Sequence, residues 1–524
     1  MSSRSLLLPF LVVGLSIGAS TGCSGESSEG ADDPLTSVTG RSRSLKTESV
    51  VYVEAGSSNA AILARVQEQN RSLFGALLTK EIGVNNRELK AVDPKKFKIR
   101  EVTLLGGSFG PKKMKEIRYV YEDQAVVPKE MAQQSVLPLA MLGSGINDAN
   151  LMATVKDCSK NDKEAQDDAR AGFFWYTFNP SLASCKKAIS TEAAKIEASR
   201  KTLKAGKTDV VPEEVNRVLV PATVSLGVDE TNKKAAYPEY DQLFFRGIEP
   251  GRLKMGLLFG RIEHDFVRAG EDQGFGEYLS AIDVLLFEHE GMKFVKLDNG
   301  NTLSEIKIGF GASGKTVANP TFADMSKWVN EGKFPSGFTT ADKKALVMAT
   351  GDLLDGHWAT FEIPKTVTIN GTSKPVVVQI DAYFGVESEI GPYKKGLKEH
   401  DIFLYSGHSY IGRGPLDPKN FTSSDFPSSY QILFFDGCVS YNYYEKDYFS
   451  FKSGGSKSLD IVTNALESPA YLGGYAGARF LSTLLRGGSY EEMLVAAKDT
   501  DSLRVVNGEL DNKFDPKASK LLIE

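Results

Sequence analysis

Two short apolar runs near the C-terminus constrain this chain more than any other feature. Asp401-Ile-Phe-Leu-Tyr-Ser-Gly-His408 and Tyr430-Gln-Ile-Leu-Phe-Phe-Asp-Gly-Cys438 each read as a buried strand, and 30 residues separate His408 from Cys438. In an open α/β sheet the reacting groups gather at the carboxyl ends of strands. A thiol and an imidazole at the ends of two neighbouring strands are candidates for a nucleophile and its base.

The chain has four cysteines, Cys23, Cys158, Cys185 and Cys438. Cys23 closes a targeting segment. Arg4 supplies a short positive region, Leu6 to Leu15 is almost wholly apolar, and small residues fill Ser16 to Gly22. Such a segment reads as a secretory signal over 1–22 and is too short to span a bilayer. Ser20-Thr-Gly-Cys23 resembles a bacterial lipobox, which implies lipid on Cys23; ordinary cleavage nearby is the alternative. Residues 23–44 are rich in Ser, Gly, Glu and Asp and read as a flexible tether. Cys158 and Cys185 lie 27 residues apart in a chain expected to reach an oxidising compartment, where a disulfide is the first reading and two free thiols the second. Cys438 is then left over and is flagged as a reactive thiol.

The pattern beyond the tether suggests two domains. Residues 45–247 look β-rich with helical interruptions, an α+β arrangement. Val50 to Glu54, Phe97 to Leu105, Lys115 to Glu122 and Val218 to Leu226 read as strands, the last demoted towards an edge by Pro221. Ala60 to Leu78 and Ala193 to Lys207 read as helices. The aromatic cluster Gly172-Phe-Phe-Trp-Tyr-Thr-Phe-Asn-Pro180 reads as a core strand, with a carbohydrate platform as the alternative. Over 248–524, strands alternate with helices, which argues for a mostly parallel α/β sheet with flanking helices. Lys293 to Phe310 is expected to form a hairpin around Asp298-Asn-Gly-Asn.

Several function classes drop out. A net charge of −5 argues against nucleic acid. No second apolar run reaches the length of a membrane span. Gly309-Phe-Gly-Ala-Ser-Gly-Lys315-Thr316 matches the phosphate-loop pattern, but Pro320 follows where the loop needs a helix. His264, His289, His357, His400 and His408 show no zinc-type spacing, so neither a metal nor a cofactor is expected.

The two motifs Ser406-Gly-His408-Ser409 and Asp436-Gly-Cys438, in that order, resemble the caspase-like fold of cysteine peptidases, the group of caspases, legumains and gingipains. The likeness covers roughly Ile248 to Lys498. It implies a caspase-like sheet, Cys438 as nucleophile, His408 as general acid/base, and an oxyanion hole from the backbone N–H groups of Ser409 and Cys438. The implied function is an exported cysteine endopeptidase acting on protein or peptide substrate. It would be held in the cell envelope, at the bacterial outer membrane, through its N-terminal lipid alone. The short Gly-, Pro- and Ser-rich interval Tyr410 to Ser429 is either a substrate-binding loop or the mark of a degenerate site. A catalytically inactive surface lipoprotein that binds a partner is therefore the alternative. Cleavage preference stays open between the basic candidates Arg413 and Arg479 and the acidic ones Asp425, Glu445 and Asp447.

Overall fold

The computed structural model describes residues 35–524, apart from 107–109, 161, 264–266, 310–313, 471–472 and 499–502. The signal segment and Cys23 lie outside the described residues, as does the middle of the phosphate-loop-like stretch. The described chain is a mixed α/β fold built on two large sheets.

The first sheet has seven strands. Its central pair is Gly40–Glu54 with Lys112–Pro128, antiparallel over the full length of the former. Leu219–Asp229 and then Val136–Leu142 extend it on one side, Lys98–Leu104 and Asp209–Val210 on the other. Helices Asn59–Arg71 and Leu73–Leu78 cover one face, burying Ile62, Val66, Leu73 and Leu77.

The second sheet has ten strands. Its middle is five successive parallel strands: Thr372–Gly385, Arg252–Gly260, Ile402–Ser406, Gln431–Asp436 and Leu459–Asn464. Antiparallel strands flank this core on both sides, Trp358–Ile369 against the first and Arg504–Asn507 against the last. The sheet is thus mixed, with its parallel part confined to the centre. Both faces of that centre are covered, which is why the strand sequences are continuous apolar runs. Ile402, Leu404, Ile432 and Phe434 pack with helices Gln273–Glu288 and Gly473–Leu484. Their neighbours Phe403, Tyr405, Leu433 and Phe435 pack to the opposite side with helix Ile390–Glu399 and with apolar residues of the first sheet's body. Each such side chain, fully buried, contributes about 1.5–3 kcal/mol.

Several sequence expectations are corrected. Order begins within the stretch read as tether: Thr36–Ser37 pairs with Arg504–Asn507, and the strand Gly40–Glu54 already starts at residue 40. The polar residues there are satisfied by the sheet itself, since Arg43 is buried and donates to the carbonyls of Gly227, Met131 and Gln134. The aromatic cluster forms a single helical turn, Phe174–Thr177, instead of a strand. Its rings pack on helix Leu73–Leu78, with the Phe74 ring 5.3 Å from Tyr176 and 5.7 Å from Trp175. The turn at 298–301 forms, with the Leu297 N–H donating to the Asn301 carbonyl at 2.8 Å, but among the described residues the strands around it do not pair with each other: Lys293–Leu297 pairs with Trp358–Ile369, and Glu305–Lys307 pairs with Thr316–Ala318. Pro221 sits in an interior strand, but opposite Ala140 and beyond Thr223, where pairing with Gly40–Glu54 stops, so its missing N–H costs no ladder bond. The helix read over 193–207 runs from Ala183 to Thr202. Cys158 and Cys185 form a disulfide, with Cα atoms 3.9 Å apart, that ties this helix to Asp148–Cys158.

Past Lys315 the chain enters the strand Thr316–Ala318, and Lys315 Nζ donates to the Gly337 carbonyl and to Asp342 at 2.6 and 2.9 Å. This lysine serves the N-terminus of helix Thr340–Leu354.

Candidate active site

Strands Ile402–Ser406 and Gln431–Asp436 are parallel neighbours, and their last paired residues are Ser406 and Asp436. His408 and Cys438 each follow two residues later. The same topology that buries the apolar runs therefore delivers both side chains to one end of the sheet. Between them, Gly407 N–H lies 3.5 Å from the Asp436 carbonyl. Gly437 presses on the turn carrying His408: a Cβ there would stand 3.1 Å from the Gly407 oxygen and 3.6 Å from the Ser409 nitrogen. The backbone of Ser409 and the turn of Cys438, the expected oxyanion donors, are thereby adjacent.

Both turns hold residues in the left-handed region. Tyr410, Ile411 and Val439 have φ of 49°, 53° and 53°. For β-branched Ile and Val this conformation is unusual and costs about 1–3 kcal/mol each. Fixed contacts hold it. Val439 N–H donates to the Leu466 carbonyl at 2.8 Å, Ser440 Oγ donates to Phe435 O at 2.7 Å, and Tyr444 hydroxyl donates to Ser409 O at 2.7 Å.

The His408 ring is half-buried, and its Nε2 lies 3.0 Å from the Ile262 carbonyl. A carbonyl only accepts, so Nε2 donates, and in the neutral ring Nδ1 carries the lone pair. The Ile262 carbonyl is itself placed by Asp272, which caps helix Gln273–Glu288 and accepts the N–H groups of Ile262 at 3.0 Å and Glu263 at 2.9 Å. The backbone of His408 is gripped on both sides: its N–H donates to Glu387 Oε1 at 3.0 Å, and its carbonyl accepts from the Tyr405 hydroxyl at 2.8 Å.

Cys438 is a free thiol and partly exposed. Its Sγ lies 3.8 Å from the Ser468 carbonyl. Burial pushes the thiol up to about 11; Glu467 and Asp436 add to the rise, while backbone contacts at Ser468 and at Cys438 itself oppose it. At neutral pH the resting sulfur is protonated. Below it, Asp436 accepts from Ser468 Oγ at 2.9 Å and from Asn464, and pairs with buried Arg504 at 3.3 Å.

The body of the first sheet reaches this end of the second. Lys446 Nζ donates to Asn85 O at 2.8 Å, Asn85 Nδ2 donates to Glu445, and Arg87 Nη2 donates to Tyr443 O at 3.4 Å. Burial raises the Tyr176 phenol well above its usual value, with Tyr443, Cys438 and Glu467 adding to the rise.

The interval Tyr410 to Ser429 contains only short 3₁₀ turns, one of them Pro418–Asn420 with Asp417 as its cap. Of the specificity candidates, Arg479 pairs with Glu288 at 2.6 Å, Asp425 with Lys394 at 3.6 Å, and Glu445 is buried against Asn85. Among the other described histidines, His289 meets Ser482, His357 meets Asp298, and His400 meets Asp381. Among the described residues no group of three or more His, Cys, Asp or Glu could hold a metal ion, and no helix is long and apolar enough to cross a membrane.

The sequence reading missed Glu387, the Ile262 carbonyl and Arg504. One signal was available for Glu387: it is a polar residue just past the carboxyl end of a long apolar strand, as His408 and Cys438 are. Comparison with protein-family models, with curated proteins and with solved structures returns no match.

Proposed function

We propose that this chain is an exported cysteine endopeptidase with a caspase-like C-terminal region, in which Cys438 and His408 form the working pair. The observation that carries the reading is the register of the two strands, Ser406 opposite Asp436, with His408 and Cys438 each two residues beyond. The left-handed turns at Ile411 and Val439 support it, because backbone held in costly conformations clusters at functional sites.

In the proposed reaction the Cys438 proton passes to His408 Nδ1 as the sulfur bonds to a peptide carbonyl carbon. The oxygen takes up the negative charge beside the Ser409 and Cys438 N–H groups. The C–N bond then breaks as the imidazolium gives its proton to the departing amine. Water, deprotonated by His408, cleaves the thioester and restores the thiol. No cofactor is needed. The lipobox-like Ser20-Thr-Gly-Cys23 supports attachment to a bacterial membrane through lipid on Cys23.

The second reading is a non-catalytic surface lipoprotein on the same scaffold. The protonated resting thiol, pushed up to about 11, favours it. Incubation with a peptide library decides between them. Hydrolysis by the wild type that disappears in Cys438→Ala is the expected result; no hydrolysis, or hydrolysis unchanged in the variant, selects the scaffold.

A further inference from the structure

Glu387 is a buried carboxylate for which the two-residue reading of the site has no use. It lies two residues past the end of strand Thr372–Gly385, as His408 and Cys438 lie two past theirs. Its Oε1 accepts the His408 backbone N–H at 3.0 Å and the Tyr405 hydroxyl; its Oε2 accepts the Tyr410 hydroxyl. The single hydrogen of the Tyr405 hydroxyl is shared between Glu387 Oε1 and the His408 carbonyl, 2.8 Å away, and the Tyr410 ring stands edge-on to the His408 ring at 5.5 Å. A Cβ at residue 407 would overlap the Glu387 carboxylate, so glycine is required where the chain passes it.

Burying a carboxylate this deeply is costly unless it is hydrogen-bonded. A purely structural need at this place would be met by an apolar side chain. Instead, each of these bonds ends on His408 or on a tyrosine that touches it. Burial raises the Glu387 carboxyl, and the His408 ring is the largest influence opposing that rise.

We propose that Glu387 is the positioning residue of the pair, holding the His408 turn in register with Cys438. This rests on the peptidase reading. Glu387 touches neither the sulfur nor the substrate and acts through His408. A misplacement of about 1 Å at such a pair costs about 100-fold.

The test is the second-order rate at which a peptide electrophile labels Cys438 in full-length protein, measured for wild type, Glu387→Gln, His408→Ala and the double variant, with kcat and KM for any peptide hydrolysed. Glu387→Gln keeps the shape and one acceptor oxygen, and thermal melting establishes that each variant is folded. The expected result is a loss of about 10- to 100-fold in labelling and kcat for Glu387→Gln, with KM little changed, partial rescue by Glu387→Asp, and no further loss when Glu387→Gln is added to His408→Ala. Wild-type rates in folded Glu387→Gln, or an equal loss in the His408→Ala background, overturn the assignment while leaving the peptidase reading intact. Labelling of wild type no faster than His408→Ala overturns the peptidase reading, and the assignment with it.

Discussion

Asp436 and Arg504 form a buried ion pair directly beneath the turn that carries Cys438. Arg504 Nη2 lies 3.3 Å from each carboxylate oxygen, and the two side chains are 4% and 0% exposed. Arg504 comes from the antiparallel strand Arg504–Asn507, 68 residues further along the chain. Asp436 also holds Ser468, whose carbonyl meets the Cys438 sulfur. Removing one partner of a buried pair leaves the other charge uncompensated, at about 3–5 kcal/mol. Arg504→Ala is expected to lower unfolding free energy by that amount in a denaturant titration; a change below about 1 kcal/mol would contradict the pairing.

Gly437 separates the two turns, and a methyl group there would crowd the Gly407 carbonyl at 3.1 Å. Gly437→Ala is expected to suppress Cys438 labelling by peptide electrophiles about tenfold or more while shifting the melting temperature only slightly, because the added methyl meets the turn that carries His408 and no apolar core side chain. Equal labelling in the variant would show that the space above Gly437 is not used.

Glu445 predicts how the contact between the two sheets responds to pH. Burial raises its carboxyl from 4.5 to about 8. Between those values the folded state keeps a proton that the unfolded chain has released. Stability therefore falls as pH rises from about 4.5 to 8, by at most about 1.4 kcal/mol per unit. Glu445→Gln keeps an acceptor for Asn85 and removes the ionisation. It should flatten that slope and raise the melting temperature at pH 8. Parallel pH profiles for variant and wild type would refute the argument.

The disulfide closes the segment that contains the aromatic turn Phe174–Thr177. A bridge across 27 residues stabilises by about 3–4 kcal/mol in the chain-entropy account. Cys158→Ala/Cys185→Ala should melt several degrees lower than oxidised wild type, and reductant should move the wild type towards the variant. Identical melting with and without reductant would mean the bridge does not form.

The parts of this molecule legible in the sequence are those set by local pattern. The strands ending near His408 and Cys438 announce themselves because a run buried on both faces is apolar at every position and stops at a glycine. Apolar spacing gives the helix Ile390–Glu399, and it gives a helix over Gly276 to Glu290 that runs in the structure from Gln273 to Glu288. What escaped depends on partners far along the chain. Lys293–Leu297 runs into a good turn sequence but finds its strand neighbour in Trp358–Ile369, so the expected hairpin pairing does not form. The aromatic turn Phe174–Thr177 has no periodicity to read, and its shape is imposed by packing on Leu73–Leu78. Thr36 to Ser44 looks like tether because its polar side chains find partners in other strands, Arg43 donating to the Gly227 carbonyl and Ser42 Oγ accepting from Gln124. The raised thiol of Cys438 comes from burial and from Glu467 and Asp436, and such burial is a property of the folded surroundings.

The central claim is that His408 serves Cys438. Its most direct measurement is the rate of Cys438 modification by a peptide electrophile near neutral pH, followed by mass spectrometry in wild type and His408→Ala. Acid–base assistance contributes about 10²–10⁴-fold, so the account predicts labelling at Cys438 that falls by at least about 100-fold in the variant while the fold is retained. Equal rates in the two proteins would contradict it and leave Cys438 a structural thiol of a non-catalytic scaffold.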